Sequence, residues 1–447
     1  MYGFVIKFST KKTNKTKEQQ MLLKTILNNC QKFKSFVYGE SRFVQYEGKK
    51  AIEIELKPRK NSKTICSGCH KPAPGYDSMD ERKFEFIPIW GFLVFFIYTM
   101  RRVECPRCGI RVEEVPWSDG KRHQTKTYMQ FLAHWAKKLS WKEVAESFQT
   151  SWPKVFRAVE YVVEWGLAHR DLSGITAIGI DEIQWHRGHK YLTLVYQINA
   201  DKIRLLWIGK DRTVKILLRF FRFLGKERTG HLQYVCSDMW KPYLKVIKKK
   251  AIKALHILDR FHIVARINKA IDEVRADEHR KLKSDGHEQI LKYSRWCLLK
   301  RKENLTEKQE VKLKDLLNYN LKSIRAYLLK EDLNGLWAYV SPAWAGKFLD
   351  RWCTRVMKSK IEPLKKEART LRRHKQLILN WFKAKKAFSS GIVEGLNNKV
   401  KVTVRKSYGF RTLKCTKIAL YHVLGGLPEP KLTTTLKKGG IKATLKG

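Results

Sequence analysis

The stretch Ile175-Thr176-Ala177-Ile178-Gly179-Ile180-Asp181-Glu182 is a short apolar run that ends on two carboxylates. A run of this length, bounded by turn residues, reads as a buried strand. Tyr191 to Ile198 and Arg204 to Gly209 read as two more strands, with Gly188 and Asn199-Ala200-Asp201 at the turns. Arg212 to Leu224 is an amphipathic helix, and Tyr234-Val235-Cys236-Ser237-Asp238 is a fourth strand ending in an acid. Tyr243 to Ala254 is a second helix, and Leu255 to Leu258, running into Asp259, is a fifth strand. An aspartate at a strand end usually closes a turn or caps a helix, so no one of these acids carries weight by itself.

Three antiparallel strands followed by helix, strand, helix and strand is the order of a ribonuclease-H-like mixed sheet. In that fold the first strand is central and the fourth lies beside it, which would bring Asp181 and Asp238 together. A third acid is expected from a late helix packed across the sheet, and Ile392-Val393-Glu394-Gly395-Leu396-Asn397-Asn398-Lys399 supplies it. Ile392, Leu396 and Val400 recur at helical spacing as a buried stripe, while Glu394, Asn398 and Lys401 follow one another on another face. Three converging carboxylates repel one another unless divalent cations neutralise them. Two Mg²⁺ ions about 4 Å apart would activate a nucleophile and stabilise the leaving oxygen of an in-line displacement. An oxygen-only donor set selects Mg²⁺ or Mn²⁺ over zinc. Asp259, followed by Arg260-Phe261-His262, also ends a strand. The fifth strand is normally farther from the metals, so Asp238 is taken as the second acid, with Asp259, His262 and Asn398 supporting the site. Glu182 points to the opposite face from Asp181 and is left out.

Of 447 residues, 92 are Lys or Arg and 42 are Asp or Glu, a formal net charge of +50. Self-repulsion of that size is tolerable when a polyanion neutralises it. A hydrophobic fraction of 43% excludes a chain disordered throughout. The longest apolar run, Phe86 to Met100, falls short of the ~20 residues of a spanning helix and contains Pro88 and Gly91. The opening residues carry too short an apolar stretch for a signal peptide. Nucleic acid is therefore the expected partner, and the cytoplasm, at the nucleoid, the expected location.

Four of the nine cysteines form two knuckles, Cys66-Ser67-Gly68-Cys69 and Cys105-Pro106-Arg107-Cys108. Two such pairs supply the four thiolates of a structural Zn²⁺ site, with His70 as an alternative ligand. Between them, Phe84 to Ile89 and Phe92 to Thr99 read as strands of a small zinc-binding β module, with Arg101, Arg102 and Arg107 placed to meet phosphates. Next, Ser140 and Glu143 have capping-box spacing ahead of a helix to Phe148. The turn Gln149-Thr150-Ser151 then leads into a helix from Trp152 to about Trp165. With a preceding helix from Tyr128 to Leu139, this is a helix-turn-helix suited to the major groove of double-stranded DNA. Lys154 and Arg157 face outward on its second helix.

These residues together resemble bacterial insertion-sequence transposases of the DDE class, and the ISL-three lineage in particular. The stretch from Ile392 to Lys401, followed by Arg405 and Tyr408-Gly409-Phe410-Arg411, carries the resemblance, and Gly179-Ile180-Asp181-Glu182 and Asp259-Arg260-Phe261-His262 add to it. The resemblance spans about residues 35 to 425. It implies an α/β multidomain protein: the zinc module (61–117), the helix-turn-helix (118–172), a ribonuclease-H-like core (173–260), a helical insertion (261–384) and the final core helix region (385–428). Outside it, the chain opens with a basic N-terminal region (1–60), whose first ~34 residues look like an added extension, and its end reads from its charge as a flexible basic tail (429–447). The activity that the resemblance implies is binding of terminal inverted repeats, then metal-dependent strand cleavage and transfer to target DNA. Asp181, Asp238 and Glu394 would be the acids, and Lys399, Lys401, Arg405 and Arg411 would position phosphates. A homo-oligomer is expected because two element ends must be paired. The alternatives are a transposase-derived regulator that only binds DNA, and a structure-specific nuclease of the same fold.

Overall fold

The computed structural model describes residues 23–430 apart from 187, 189, 387–389 and 408. Residues 1–22 of the expected N-terminal region, residues 431–447 of the basic tail, and Tyr408 lie outside the described residues. The chain divides into two units, one running to Ala168 and resuming at Pro428, the other formed by His169–Leu427.

The first unit opens with α1 (Leu23–Cys30) and five strands: β1 (Phe36–Tyr46), β2 (Lys49–Pro58), β3 (Gly75–Ile89), β4 (Phe92–Cys105) and β5 (Gly109–Val112). They form one sheet in the order β1-β2-β4-β3, with β5 also paired to β4. The sheet thus begins at Phe36 and takes in β1 and β2, which the sequence reading had left in a basic region ending at residue 60. Ala51 to Ile54 are buried, and one of these residues is Glu53. Its carboxylate is held by Arg42 at 2.8 Å and Lys83 at 2.7 Å, so a charge inside the run hides a strand with two covered faces. Trp117 fills the core, edge-on to Phe36 and Tyr98. Three helices follow, α2 (Lys126–Ala136), α3 (Trp141–Ser147) and α4 (Trp152–Ala168). Ser140 and Glu143 close both bonds of the capping box, and Val144, Val155, Val159, Val162 and Val163 are buried between the helices.

The second unit is built on a sheet of β6 (Ala177–His186), β7 (Lys190–Ile198), β8 (Ile203–Lys210), β9 (Tyr234–Ser237) and β10 (Leu255–Leu258), in the order β10-β9-β6-β7-β8. β6 is central, antiparallel to β7 and parallel to β9. Ile178, Ile180, Val195 and Leu206 form a core with α5 (Val214–Leu224) and α7 (Lys241–Lys250), with the short α6 (Lys226–Gly230) between these helices in the chain. A helical segment then separates β10 from the end of the unit: α8 (Arg260–Ser284), α9 (Arg295–Leu299), α10 (Glu307–Leu316), α11 (Lys322–Asn334), α12 (Pro342–Lys358), α13 (Glu362–Arg373) and α14 (Lys375–Lys383). Ile263, Ile267, Ile271 and Val274 are its buried stripe on α8. Leu313, Leu317, Leu321, Ile324 and Leu328 are spaced as one helical stripe but do not form one, because α10 ends at Leu316 and α11 starts at Lys322, leaving Leu317 and Leu328 exposed. α15 (Ser390–Lys406) and α16 (Leu413–Leu424) close the chain on the sheet face opposite α5 and α7. No helix among the described residues is long and apolar enough to cross a membrane.

Candidate active site

Register sets the site. β6 and β9 pair Gly179 with Cys236, and β9 and β10 pair Ser237 with Leu258. Asp181 and Asp238 each lie two residues beyond the first pair, and Asp259 lies one beyond the second. The parallel register therefore sets three aspartates side by side, Asp181 midway along β6 and Asp238 and Asp259 just past the ends of β9 and β10. β6 itself runs on past Asp181 to His186, longer than expected.

Each aspartate has a local structural duty. Asp238 accepts from the Trp240 N–H at 3.0 Å, and Asp259 caps α8 by accepting from the Phe261 N–H at 2.8 Å. In both, that duty falls on Oδ1 and leaves Oδ2 facing a cation. Arg212 Nη2 donates to Asp238 Oδ2 at 2.6 Å, and its Nε lies 3.2 Å from the Glu182 carboxylate. The same guanidinium rests over the Trp240 ring, 4.6 Å from the centroid. His262 Nε2 stands 3.7 Å from Asp181 Oδ1 and 3.9 Å from Asp259 Oδ2. Asp181 Oδ1 also accepts from the Glu182 N–H at 2.7 Å.

α15 crosses the sheet at β6 because position 179 has no side chain. A Cβ there would meet Val393 Cγ2 at 2.8 Å. That approach brings in Glu394, the next residue; burial chiefly raises the proton affinity of Asp259, and the charge of Glu394 adds a small part. One turn on, the Asn397 amide donates to Asp181 Oδ2, and its Oδ1 accepts from the Tyr196 hydroxyl at 2.8 Å.

Crowding of like charge is legible in the proton affinities. Burial, then the charge of Asp238, pushes Glu182 up to about 7. Burial likewise pushes Asp259 up to about 6, against the opposing pull of its cap bond and His262. The Asp181 carboxylate facing His262 holds that imidazole up to about 9. Five carboxylates (181, 182, 238, 259 and 394) thus share two cations, Arg212 and His262.

A second cluster lies in the first unit. The sulfurs of Cys66, Cys69, Cys105 and Cys108 all lie within 4.8 Å of one another, with Cys69 and Cys105 at 3.6 Å. Four sulfurs each ~2.3 Å from one zinc stand about 3.8 Å apart, so the set has the size of a tetrahedral metal site. Gly68 permits the closure, since a Cβ there would meet Cys108 Sγ at 3.1 Å. Among the described residues this is the set of three or more such ligand atoms that gathers so tightly; the carboxylates of the other cluster stand farther apart. His70 turns away to Glu114, at 2.7 Å.

A transposase family profile matches residues 178–420, more than half of the chain and all five carboxylates of the site. The chain belongs to the ISL3-type DDE transposases. The transposase for insertion sequence element IS1001 of Bordetella parapertussis is 29% identical over 365 residues, covering 81% of this chain and 89% of that protein. The transposase for insertion sequence element IS1557 of Mycobacterium tuberculosis is 29% identical over 388 residues, covering 81% and 86%.

Within this transposase the expected residues divide. Asp181, Asp238, Asp259, His262 and Glu394 come together. Asn398 is exposed, and its neighbour Asn397 is the buried one that reaches Asp181. The buried stripe of α15 runs through Val393, Leu396, Asn397 and Val400, with Ile392 half-buried. Glu182, left out above as pointing to the opposite face, and Arg212, read above only as the start of a helix, join through their ion pair. Lys399, Lys401, Arg405 and Arg411 are exposed. On α4, Arg157 is exposed but Lys154 is ion-paired with Glu85 of β3, so it is not the free cation expected. Beside the knuckles, Arg101 is bound to Glu113 and Arg102 to Asp77, leaving Arg107 exposed. In the helical segment Lys365 pairs with Glu362 and Lys375 with Asp350.

Proposed function

We propose that this transposase binds the terminal inverted repeats of its element and carries out metal-dependent strand cleavage and transfer at the carboxylate cluster of the second unit. The observation that carries this reading is the gathering of five acids and two cations where β9 and β10 end beside the middle of β6. A buried excess of carboxylate oxygens suits Mg²⁺ or Mn²⁺. Asp181, Asp238 and Glu394 would hold the ions, in a sheet whose strand order is that of a ribonuclease-H-like core. When bound, two divalent ions supply activation of the attacking oxygen and stabilisation of the leaving one. Around them, His262 and Arg212 offset the mutual repulsion of the acids in the absence of metal. Lys399, Lys401, Arg405 and Arg411 offer charge to the DNA backbone.

In the first unit, the four thiolates would hold Zn²⁺ as a structural ion. α3 and α4 would act as the helix-turn-helix, with Arg157 toward DNA. Pairing of two element ends calls for at least a dimer. Asp259 is a rival for the second acid on one specific observation: Asp238 is already bound by Arg212, whereas Asp259 shares His262 with Asp181.

The test is strand cleavage of an inverted-repeat substrate with Mg²⁺, alongside end binding. Asp181→Ala and Glu394→Ala should lose cleavage and keep binding. Cleavage by either variant would overturn the assignment. Asp238→Asn and Asp259→Asn decide the second acid by which one abolishes cutting.

A further inference from the structure

We infer that Asn397 is a positioning residue, a strut that sets the Asp181 carboxylate relative to Glu394. The inference rests on the reading that those two acids hold the metal ions. Asn397 is buried and lies on α15 three residues after Glu394, so the two share one side of the helix. Its amide spans two strands. Oδ1 accepts from the hydroxyl of Tyr196 on β7, a fully buried residue paired across the sheet with Gly179. Nδ2 donates to Asp181 on β6.

The direction of this chain is fixed by donor counting. A buried phenol has one proton to give and, at Tyr196, Asn397 Oδ1 receives it. The amide can then present only its NH₂ to Asp181. Asp181 is therefore gripped by two donors from different elements: the Glu182 N–H of its own strand on Oδ1, and Asn397 on Oδ2. That grip fixes the plane of the carboxylate. It also ties it to the helix that carries Glu394, at the place where Gly179 lets Val393 close on the strand. Without Tyr196 the amide oxygen loses its donor, and the plane in which its NH₂ meets Asp181 is no longer held from behind.

The experiment measures Mg²⁺ dependence of cleavage, end binding and thermal unfolding in Asn397→Ala, Tyr196→Phe and the double variant, with Asp181→Ala as control. Asn397→Ala should raise the half-saturating Mg²⁺ concentration at least tenfold with end binding unchanged. Tyr196→Phe should raise it less, and should add nothing in the Asn397→Ala background, since Tyr196 acts only through the amide. Three results overturn the strut. One is an unchanged Mg²⁺ dependence in Asn397→Ala; another is a Tyr196→Phe effect that persists in the double variant. The third is loss of cleavage only in step with loss of end binding and folding, which marks a purely structural residue. If Asp181→Ala itself still cuts, the site reading fails first, and the two failures are told apart.

Discussion

Replacing Gly179 by alanine tests the geometry on which the carboxylate cluster depends. The added Cβ would lie 2.8 Å from Val393 Cγ2 and 3.5 Å from Ile198 Cγ2. Carbon atoms rest about 3.5–4.0 Å apart, so Val393, and α15 with it, must retreat by roughly 0.7 Å or more. Gly179 sits in a strand with no left-handed backbone to preserve, so the effect is steric alone. Overpacking of this kind costs about 1–3 kcal/mol. A misplacement near 1 Å at a reacting centre costs about a hundredfold in rate. Calorimetric unfolding and Mg²⁺-dependent cleavage should therefore both fall in Gly179→Ala, the second far more than the first. Val393→Ala alone loses two buried methyl groups, about 1.5 kcal/mol at ~0.8 each. In combination the two should be more stable than the sum of the singles, because the atom that clashes has gone. Strict additivity, or a Gly179→Ala protein as active as its parent, would refute the close crossing of α15 over β6.

The other predictions concern both units. Cys66→Ser or Cys105→Ser should lose bound zinc by elemental analysis and lower the unfolding temperature of the first unit; full zinc content in both would count against the four-thiolate site. Arg157→Ala should weaken end binding and reduce the slope of log K against log salt by about 1. Lys154→Ala, whose charge is spent on Glu85, should leave that slope unchanged, and the reverse result would overturn the assignment. His262 has a folded value of about 9, above its ordinary 6.5, so its stabilising contribution is complete below about pH 6.5 and is lost as pH rises through 9. The metal-free protein should therefore lose stability between pH 7 and 9.5 more steeply than His262→Gln, and equal slopes in thermal melts would contradict the pairing with Asp181.

Much of this was legible in the chain because it rests on short-range pattern. Apolar runs ending in Asp181, Asp238 and Asp259 announce strands with acids at one end, and the two knuckles announce a thiolate cluster. What escaped depends on choices that local spacing cannot make. Asn397 and Asn398 differ by one step of helical phase, and which of them faces the sheet is decided by how closely Val393 can approach Gly179. Arg212 joins the site through an ion pair between a loop and two strands, which has no signature in spacing. Lys154, Arg101 and Arg102 look like free cations until the tertiary fold supplies Glu85, Glu113 and Asp77. Glu53 concealed β2 for the same reason, as a charge buried with its partners.

The long helical segment between β10 and α15 also orders events in time. A ribosome delivers the three strand aspartates first and the helix bearing Glu394 and Asn397 only after α8 to α14 have been made. A chain interrupted anywhere in that stretch carries the first unit as far as Ala168 and every strand of the second, yet no α15. Such a fragment lacks both the acid and the amide that complete the carboxylate cluster. Translation thus completes the carboxylate cluster last.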